Sequence, residues 1–150
     1  MEKKLTPGFE DYIEAIYIIQ LEKKVVRVKD ISKQLNVSMP SVNGALKTLK
    51  KRNIVNHQKY GYVELTSKGE EIAEEIFFRH KLITNFFMKV LDIPELAAGT
   101  DACKIEHYLS KVTIERLSKF IEFIDSCPDQ ETPKFIENFK YYYKHGKRKQ

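Results

Sequence analysis

The chain has 150 residues, 42% apolar and 31% charged, which suits a soluble globular protein of one domain, or two small ones sharing a core. No apolar run approaches the ~18 residues of a membrane span, and Met1-Glu2-Lys3-Lys4 leads into no signal-peptide core, so a cytoplasmic protein with no membrane partner is expected. The net charge of +5 is unevenly held: Lys23 to Lys68 carries eleven basic residues against two acids, Asp30 and Glu64, and such a basic block between acidic flanks is a footprint for a polyanion, most often nucleic acid.

Pro7 and Gly8 precede a predicted helix from about Phe9 to Glu22, where Phe9, Ile13, Ile16 and Tyr17 repeat at helical spacing. Glu10, Asp11 and Glu14 put three carboxylates in its first two turns, which the helix dipole favours. Asp11 and Glu14, three residues apart, also suit a shared cation, and both readings stay open at this point. A short second helix is expected over Val28 to Asn36, with Ile31 and Leu35 inward. A turn at Val37-Ser38 leads into a third, capped by Ser38, opened by Met39 and Pro40, and packed through Val42, Ala45, Leu46 and Leu49. Two short helices joined by a tight turn, the second opening with small polar residues and ending in Lys50-Lys51-Arg52, read as a helix-turn-helix whose basic end reaches phosphates. Ile54 to Gln58 and Tyr62 to Leu65 then alternate as two strands around Lys59-Tyr60-Gly61. A helix-turn-helix followed by a hairpin with a basic tip is a winged helix, and its tip would lie along the sugar-phosphate backbone.

Thr66, with Gly69 and Glu70 following, is expected to open a long helix through a capping box, and the pattern runs to about Leu91. Phe77, Phe78, Phe86 and Phe87 make this helix richer in aromatics than one small wing can bury, which points to contact with another chain. His80 sits in its middle, where a lone histidine is more often structural than a ligand. A break over Asp92 to Gly99 precedes a helix from about Asp101 to Leu109. At about 100° per residue its Cys103, Glu106 and His107 share one face, a thiol, a carboxylate and an imidazole suited to a first-row transition metal. The competing reading makes Cys103 a buried small hydrophobe and the other two surface residues. Cys103 and Cys127 are expected as thiols or ligands rather than a disulfide. Thr113 is expected to cap a further helix with Ile114, Leu117, Ile121 and Ile124 inward, Pro128 and Pro133 bracket a linker, and Phe135 to Tyr143 forms a last segment before the basic tail Lys147-Arg148-Lys149-Gln150. With no phosphate-binding glycine loop and no nucleophile elbow, neither an enzyme nor a small-molecule substrate is expected.

Five separated motifs carry a resemblance: Glu10-Asp11-Tyr12-Ile13-Glu14-Ala15-Ile16-Tyr17, Ser38-Met39-Pro40-Ser41-Val42, Leu65-Thr66-Ser67-Lys68-Gly69, Arg79-His80, and Ala102-Cys103-Lys104-Ile105-Glu106-His107-Tyr108-Leu109-Ser110. In this order they resemble the metal-dependent repressors typified by the diphtheria toxin repressor and the manganese transport regulator, over about Phe9 to Ile124. The resemblance implies a homodimer that binds double-stranded operator DNA when loaded with Fe(II) or Mn(II). It places the metal ligands on Asp11, Glu14, His80, Cys103, Glu106 and His107, and it is the resemblance that promotes His80. The ligand set is a hybrid, with the manganese branch's aspartate and glutamate at positions 11 and 14 and the iron branch's cysteine at 103. Thr84 and Gly99 stand where the iron branch's ancillary site has an acid and a histidine. The chain ends without the Src-homology-3-like third domain of that branch, which implies the two-domain type.

The expected fold is mainly α: an N-terminal winged helix-turn-helix over residues 1–68, then an all-helical dimerisation and metal-binding domain over 69–150. The expected function is a metal-dependent transcriptional repressor of metal-uptake and homeostasis genes. Ser38, Pro40, Ser41 and Asn43 would read bases, with Lys47 and Lys59 on phosphates; Gly44 replaces a glutamine reader of the iron branch. Carboxylates suit Mn(II) or Fe(II), a thiolate moves preference toward Fe(II), Co(II) or Zn(II), and Zn(II), Co(II), Ni(II) and Cd(II) are candidate occupants in vitro. Two alternatives are a winged-helix thiol sensor in which Cys103 is oxidised, and a helical metalloenzyme.

Overall fold

A computed structural model describes residues 5–57, 61–128 and 132–148. The chain divides into two compact units, Met1–Phe77 and Phe78–Gln150.

The first unit opens with α1 (Pro7–Glu22), which starts two residues earlier than expected because Pro7, with no amide hydrogen to satisfy, occupies the first helical position after Thr6. Its Ile13, Ile16 and Ile19 are buried. Helix α2 (Val28–Leu35) ends at Asn36, whose left-handed backbone (φ 53°) breaks the helix and turns the chain toward α3 (Met39–Lys51). Ser38 caps α3 as expected: its hydroxyl accepts from the Ser41 amide at 3.3 Å. Strands β1 (Val55–His57) and β2 (Val63–Leu65) pair antiparallel in the register Val55↔Leu65, Asn56↔Glu64, His57↔Val63. Both are shorter than expected, and Gln58 lies outside the described residues. The Val63 amide also bonds the Val26 carbonyl at 2.9 Å, tying the wing to the approach to α2. Helices, strands and the start of α4 (Ser67–Leu91) close over one core that includes Ile13, Ile16, Ile31, Val42, Leu46, Leu49, Ile54 and Ile76.

Thr66 caps α4, but not through a capping box. Its hydroxyl accepts from the Gly69 amide at 3.1 Å and donates to the Asn53 carbonyl at 2.7 Å. The third helical position is Gly69, which has no side chain to return the bond. Gly69 serves close packing instead. A Cβ there would overlap the Ile54 carbonyl oxygen and crowd Leu65, so glycine lets the helix start press against the wing.

The second unit holds the remainder of α4 with α5 (Glu95–Ile105), α6 (Lys111–Asp125) and α7 (Lys134–His145). Leu82, Ile121, Ile124 and Ile136 form its core, with Phe86, Val90, Ile114, Leu117 and Phe120 packed around them. Phe86, Phe120 and Phe135 meet in sequence as tilted rings with centroids 6.1 and 6.2 Å apart. Lys89–Asp125 (2.6 Å) and Lys140–Asp92 (2.8 Å) tie α4 and its end to α6 and α7.

Two boundaries in this unit differ from the sequence expectation. The break after α4 is short, because Pro94 serves as the N-cap of α5 and Ala97 and Ala98 sustain a helix through Gly99. Helix α5 accordingly ends at Ile105, not Leu109: Ser110 takes the extended backbone of an N-cap (φ −70°, ψ 155°) and starts α6 at once. Ser110 is therefore the cap, accepting from the Thr113 amide at 3.3 Å, and Thr113 is the third helical residue rather than the cap.

Candidate nucleic-acid interface and metal centre

Helix α3 shows how the first unit presents polar chemistry. Val42, Ala45, Leu46 and Leu49 are sequestered, so the helical period turns Ser38, Pro40, Ser41, Asn43 and Lys47 outward, and all five are exposed. The Ser38 and Ser41 hydroxyls lie 2.8 Å apart at the helix start. Lys59 lies outside the described residues. Lys50, expected at the phosphate-facing end, instead donates to the His57 carbonyl at 2.8 Å and braces the wing.

A second group was not singled out from the sequence. Arg27, Val28 and Lys29 at the start of α2, Met39 and Asn43 of α3, and His57, Gly61 and Tyr62 of the wing line an open hollow of about 820 Å³. The Arg27 guanidinium lies over the Tyr62 ring, 5.5 Å from its centroid. The only sequence signal was a pair of cations flanking Val28; the tyrosine is 35 positions from Arg27 and joins it through the Val26–Val63 bridge.

The expected ligands fall on both units. Within the first, Asp11 is half-buried on α1 and Glu14 is buried, 7% exposed, one helical turn beyond the buried Glu10 (8%). Carboxylates withdrawn from water require a cation or hydrogen-bond donors to offset their desolvation, so burial separates Glu10 and Glu14 from ordinary dipole-favoured surface acids.

Within the second unit, the structure brings His80, Glu106 and His107 together. Glu106 is completely buried at the end of α5, held there by its amide bond to the Ala102 carbonyl (3.0 Å). His80 Nδ1 is 2.8 Å from Glu106 Oε2, and His107 Nε2 is 3.5 Å from Glu106 Oε1. Among the described residues Oε1 accepts no hydrogen bond. A buried carboxylate with one oxygen still open, set between two imidazoles, offers the oxygen and nitrogen donors that a divalent transition metal takes. The donor set fits such an ion.

Cys103 is exposed on α5. This corrects the competing reading of the 103–107 stretch on both counts: the cysteine is not a buried hydrophobe, and Glu106 is not a surface residue. Burial follows the packing of Ala98 and Ala102, and Cys103, next in sequence to Ala102, is turned away from that side. Cys103 and Cys127 both carry thiols rather than forming a disulfide.

Two family descriptions match this chain in tandem. Residues 4–63 match the iron-dependent repressor N-terminal DNA-binding domain, and residues 66–133 match the iron-dependent repressor metal-binding and dimerisation domain. The chain belongs to the iron-dependent repressor family. Solved structures to which this family member is similar include the manganese regulator SloR, at 32% identity and a TM-score of 0.69 over 85% of this chain and 60% of that one. The metal-dependent transcriptional regulator MtsR is 28% identical with a TM-score of 0.72, over 85% and 60%. IdeR of T. acidophilum is 26% identical with a TM-score of 0.70, over 87% and 63%. The present chain thus spans about 60% of the length of these relatives. The family's order of a DNA-binding domain and then a metal-binding and dimerisation domain agrees with a winged helix-turn-helix followed by helices here, and the chemistry it describes is metal binding, which gives no support to the thiol-sensor alternative.

Proposed function

We propose that this family member is a metal-dependent transcriptional repressor that acts as a homodimer on double-stranded operator DNA of metal-uptake and homeostasis genes, with Fe(II) or Mn(II) as effector. The observation that carries the reading is the buried Glu106 between His80 and His107, in the same chain as a helix-turn-helix with its polar face exposed. The proposed ligands are Asp11, Glu14, His80, Cys103, Glu106 and His107. Glu14, His80 and Glu106 supply two hard carboxylates and a borderline imidazole, a set that suits Mn(II) or Fe(II), and a Cys103 thiolate would move preference toward Fe(II). The domains proposed are 1–68 for DNA and 69–150 for metal and dimerisation.

A bound divalent cation would supply positive charge that offsets the carboxylates. Asp11 and Glu14 belong to the helix that packs on the DNA-reading unit, and His80, Cys103, Glu106 and His107 belong to the dimerising one, so shared ligation would link the two. Linked in this way, the two α3 helices of a dimer would keep one separation, near the ~34 Å between successive major grooves. Ser38, Pro40, Ser41 and Asn43 then face base edges, where Asn43 pairs with adenine and Pro40 meets a thymine methyl, while Lys47 and Lys59 face phosphates.

The test is fluorescence anisotropy of promoter DNA from a metal-uptake operon, under anaerobic titration with each metal and then with chelator. Binding that appears with Fe(II) or Mn(II) and is lost on chelation is the expected result. Binding indifferent to chelation overturns the switch, and activation by Zn(II) alone overturns the metal assignment.

A further inference from the structure

The hollow between the start of α2, the start of α3 and the wing has the chemistry of an anion site. Two cations, Arg27 and Lys29, line it beside Asn43 and His57. Asp30, next to Lys29 in the chain, is already committed: it accepts from Lys23 Nζ at 3.0 Å and from the Arg27 amide at 3.1 Å. Among the described residues no contact-distance ion pair joins the Arg27 or the Lys29 side chain to a carboxylate, and the Lys29 charge acts on Asp30 only as a minor influence beside the Lys23 hydrogen bond. His57 Nδ1, in the same lining, is buried without a hydrogen-bond partner among the described residues. Long surface arginines ordinarily sample many rotamers, but the Tyr62 ring, itself half exposed, holds this guanidinium by its face at 5.5 Å and leaves its N–H edge available. Planar guanidinium edges match phosphate oxygens in two-point geometry.

We infer that this hollow is a docking site for a DNA backbone phosphate, bound by Arg27 and Lys29, with Tyr62 as a positioning residue that presents Arg27. The inference rests on the DNA-binding reading and deepens it by adding a contact outside α3 and the tip of the wing. Because Met39 and Asn43 share the lining, a phosphate seated there sets how far the start of α3 enters the groove. Phosphate contacts fix register and orientation in this way without carrying sequence themselves. The site therefore contributes equally on any duplex.

That equality defines the experiment. The 150-residue chain, with Mn(II), is titrated against a fluorescent DNA duplex of arbitrary sequence at several salt concentrations. Arg27→Gln is expected to lower the slope of log affinity against log salt by about 0.9, and Arg27→Gln with Lys29→Gln by about twice that. Between about 50 and 200 mM salt, the unaltered protein then loses about 3.5-fold more affinity than the single variant. Tyr62→Leu should weaken binding about two- to fivefold. Tyr62→Phe, which keeps the ring face, should restore it, and Tyr62→Leu should cost nothing further in an Arg27→Gln background. Thermal melting confirms that each variant folds. An unchanged salt slope in folded Arg27→Gln and double variants overturns the phosphate site while the DNA-binding reading stands. A Tyr62→Leu loss that persists in the Arg27→Gln background overturns the positioning role. If the unaltered protein binds no duplex at all, the DNA-binding reading itself fails, and this inference with it.

Discussion

At the scale of single residues, two positions show how close packing overrides local preference. Gly69 sits in the first turn of α4, where alanine would ordinarily be favoured by ~1 kcal/mol. A Cβ there meets the Ile54 carbonyl, a backbone oxygen that cannot swing aside and that also accepts from the Thr66 amide at 3.0 Å. Gly69→Ala should therefore destabilise the first unit by about 1–3 kcal/mol net, read by denaturant unfolding; equal or greater stability would show that the strand and helix can part without cost. Glu106 is the second position. Its substitution by glutamine keeps shape and removes charge, so Glu106→Gln should keep its helical circular dichroism yet lose at least about tenfold in Mn(II) affinity by competition titration. Wild-type affinity in that variant would remove Glu106 from the ligand set. None of this burial was visible in the sequence. Helical spacing placed Cys103, Glu106 and His107 on one face, but which of the three is covered depends on what packs against Ala98 and Ala102.

At the scale of elements, local chemistry was legible where the partners are neighbours in the chain. Ser38 was readable as a cap and Val42, Ala45, Leu46 and Leu49 as an inner stripe, because one helix supplies both donor and acceptor and one period orders the faces. The start of α6 was misplaced because Ser110 and Thr113 both carry cap-type hydroxyls and only backbone geometry selects between them. Ser110→Ala should cost about 1 kcal/mol of stability and Thr113→Val far less; the reverse order in thermal unfolding would restore Thr113 as the cap. Helix α2 offers a pH test. The hydrogen bond from Lys23, helped by that from the Arg27 amide, holds the Asp30 carboxyl below its ordinary value of 3.8 against the opposing effect of burial. A carboxyl lowered on folding stabilises the fold fully above its unfolded value and loses that contribution as pH falls through the folded one. Asp30→Asn should therefore flatten the stability–pH curve below about pH 4 and leave its shape at higher pH unchanged. An unchanged acid limb would show that the Lys23–Asp30 pair contributes nothing.

At the scale of the whole molecule, the proposed switch is a coupling between two ligands, and coupling is reciprocal. If metal tightens operator binding by a factor within the usual range of about 5–150-fold, operator DNA must tighten Mn(II) binding by the same factor. Measuring both on one preparation checks the mechanism without knowing the operator in advance. Unequal factors would mean that the two titrations follow different species. The sequence by itself determined the order of parts: a winged helix-turn-helix, then helices carrying carboxylate, imidazole and thiol donors. Those features arise from periodicity, caps and charge within short spans of chain, which residue type alone controls. Tertiary structure decided which donors are withdrawn from water, that Glu106 stands between His80 and His107, that Lys50 braces the wing, and that Tyr62 holds Arg27. The His80–Glu106 and Arg27–Tyr62 pairings join residues distant in the chain, and Lys50 reaches His57 from a different element, so burial and proximity of that kind come into existence only when separate elements exclude water from the same space.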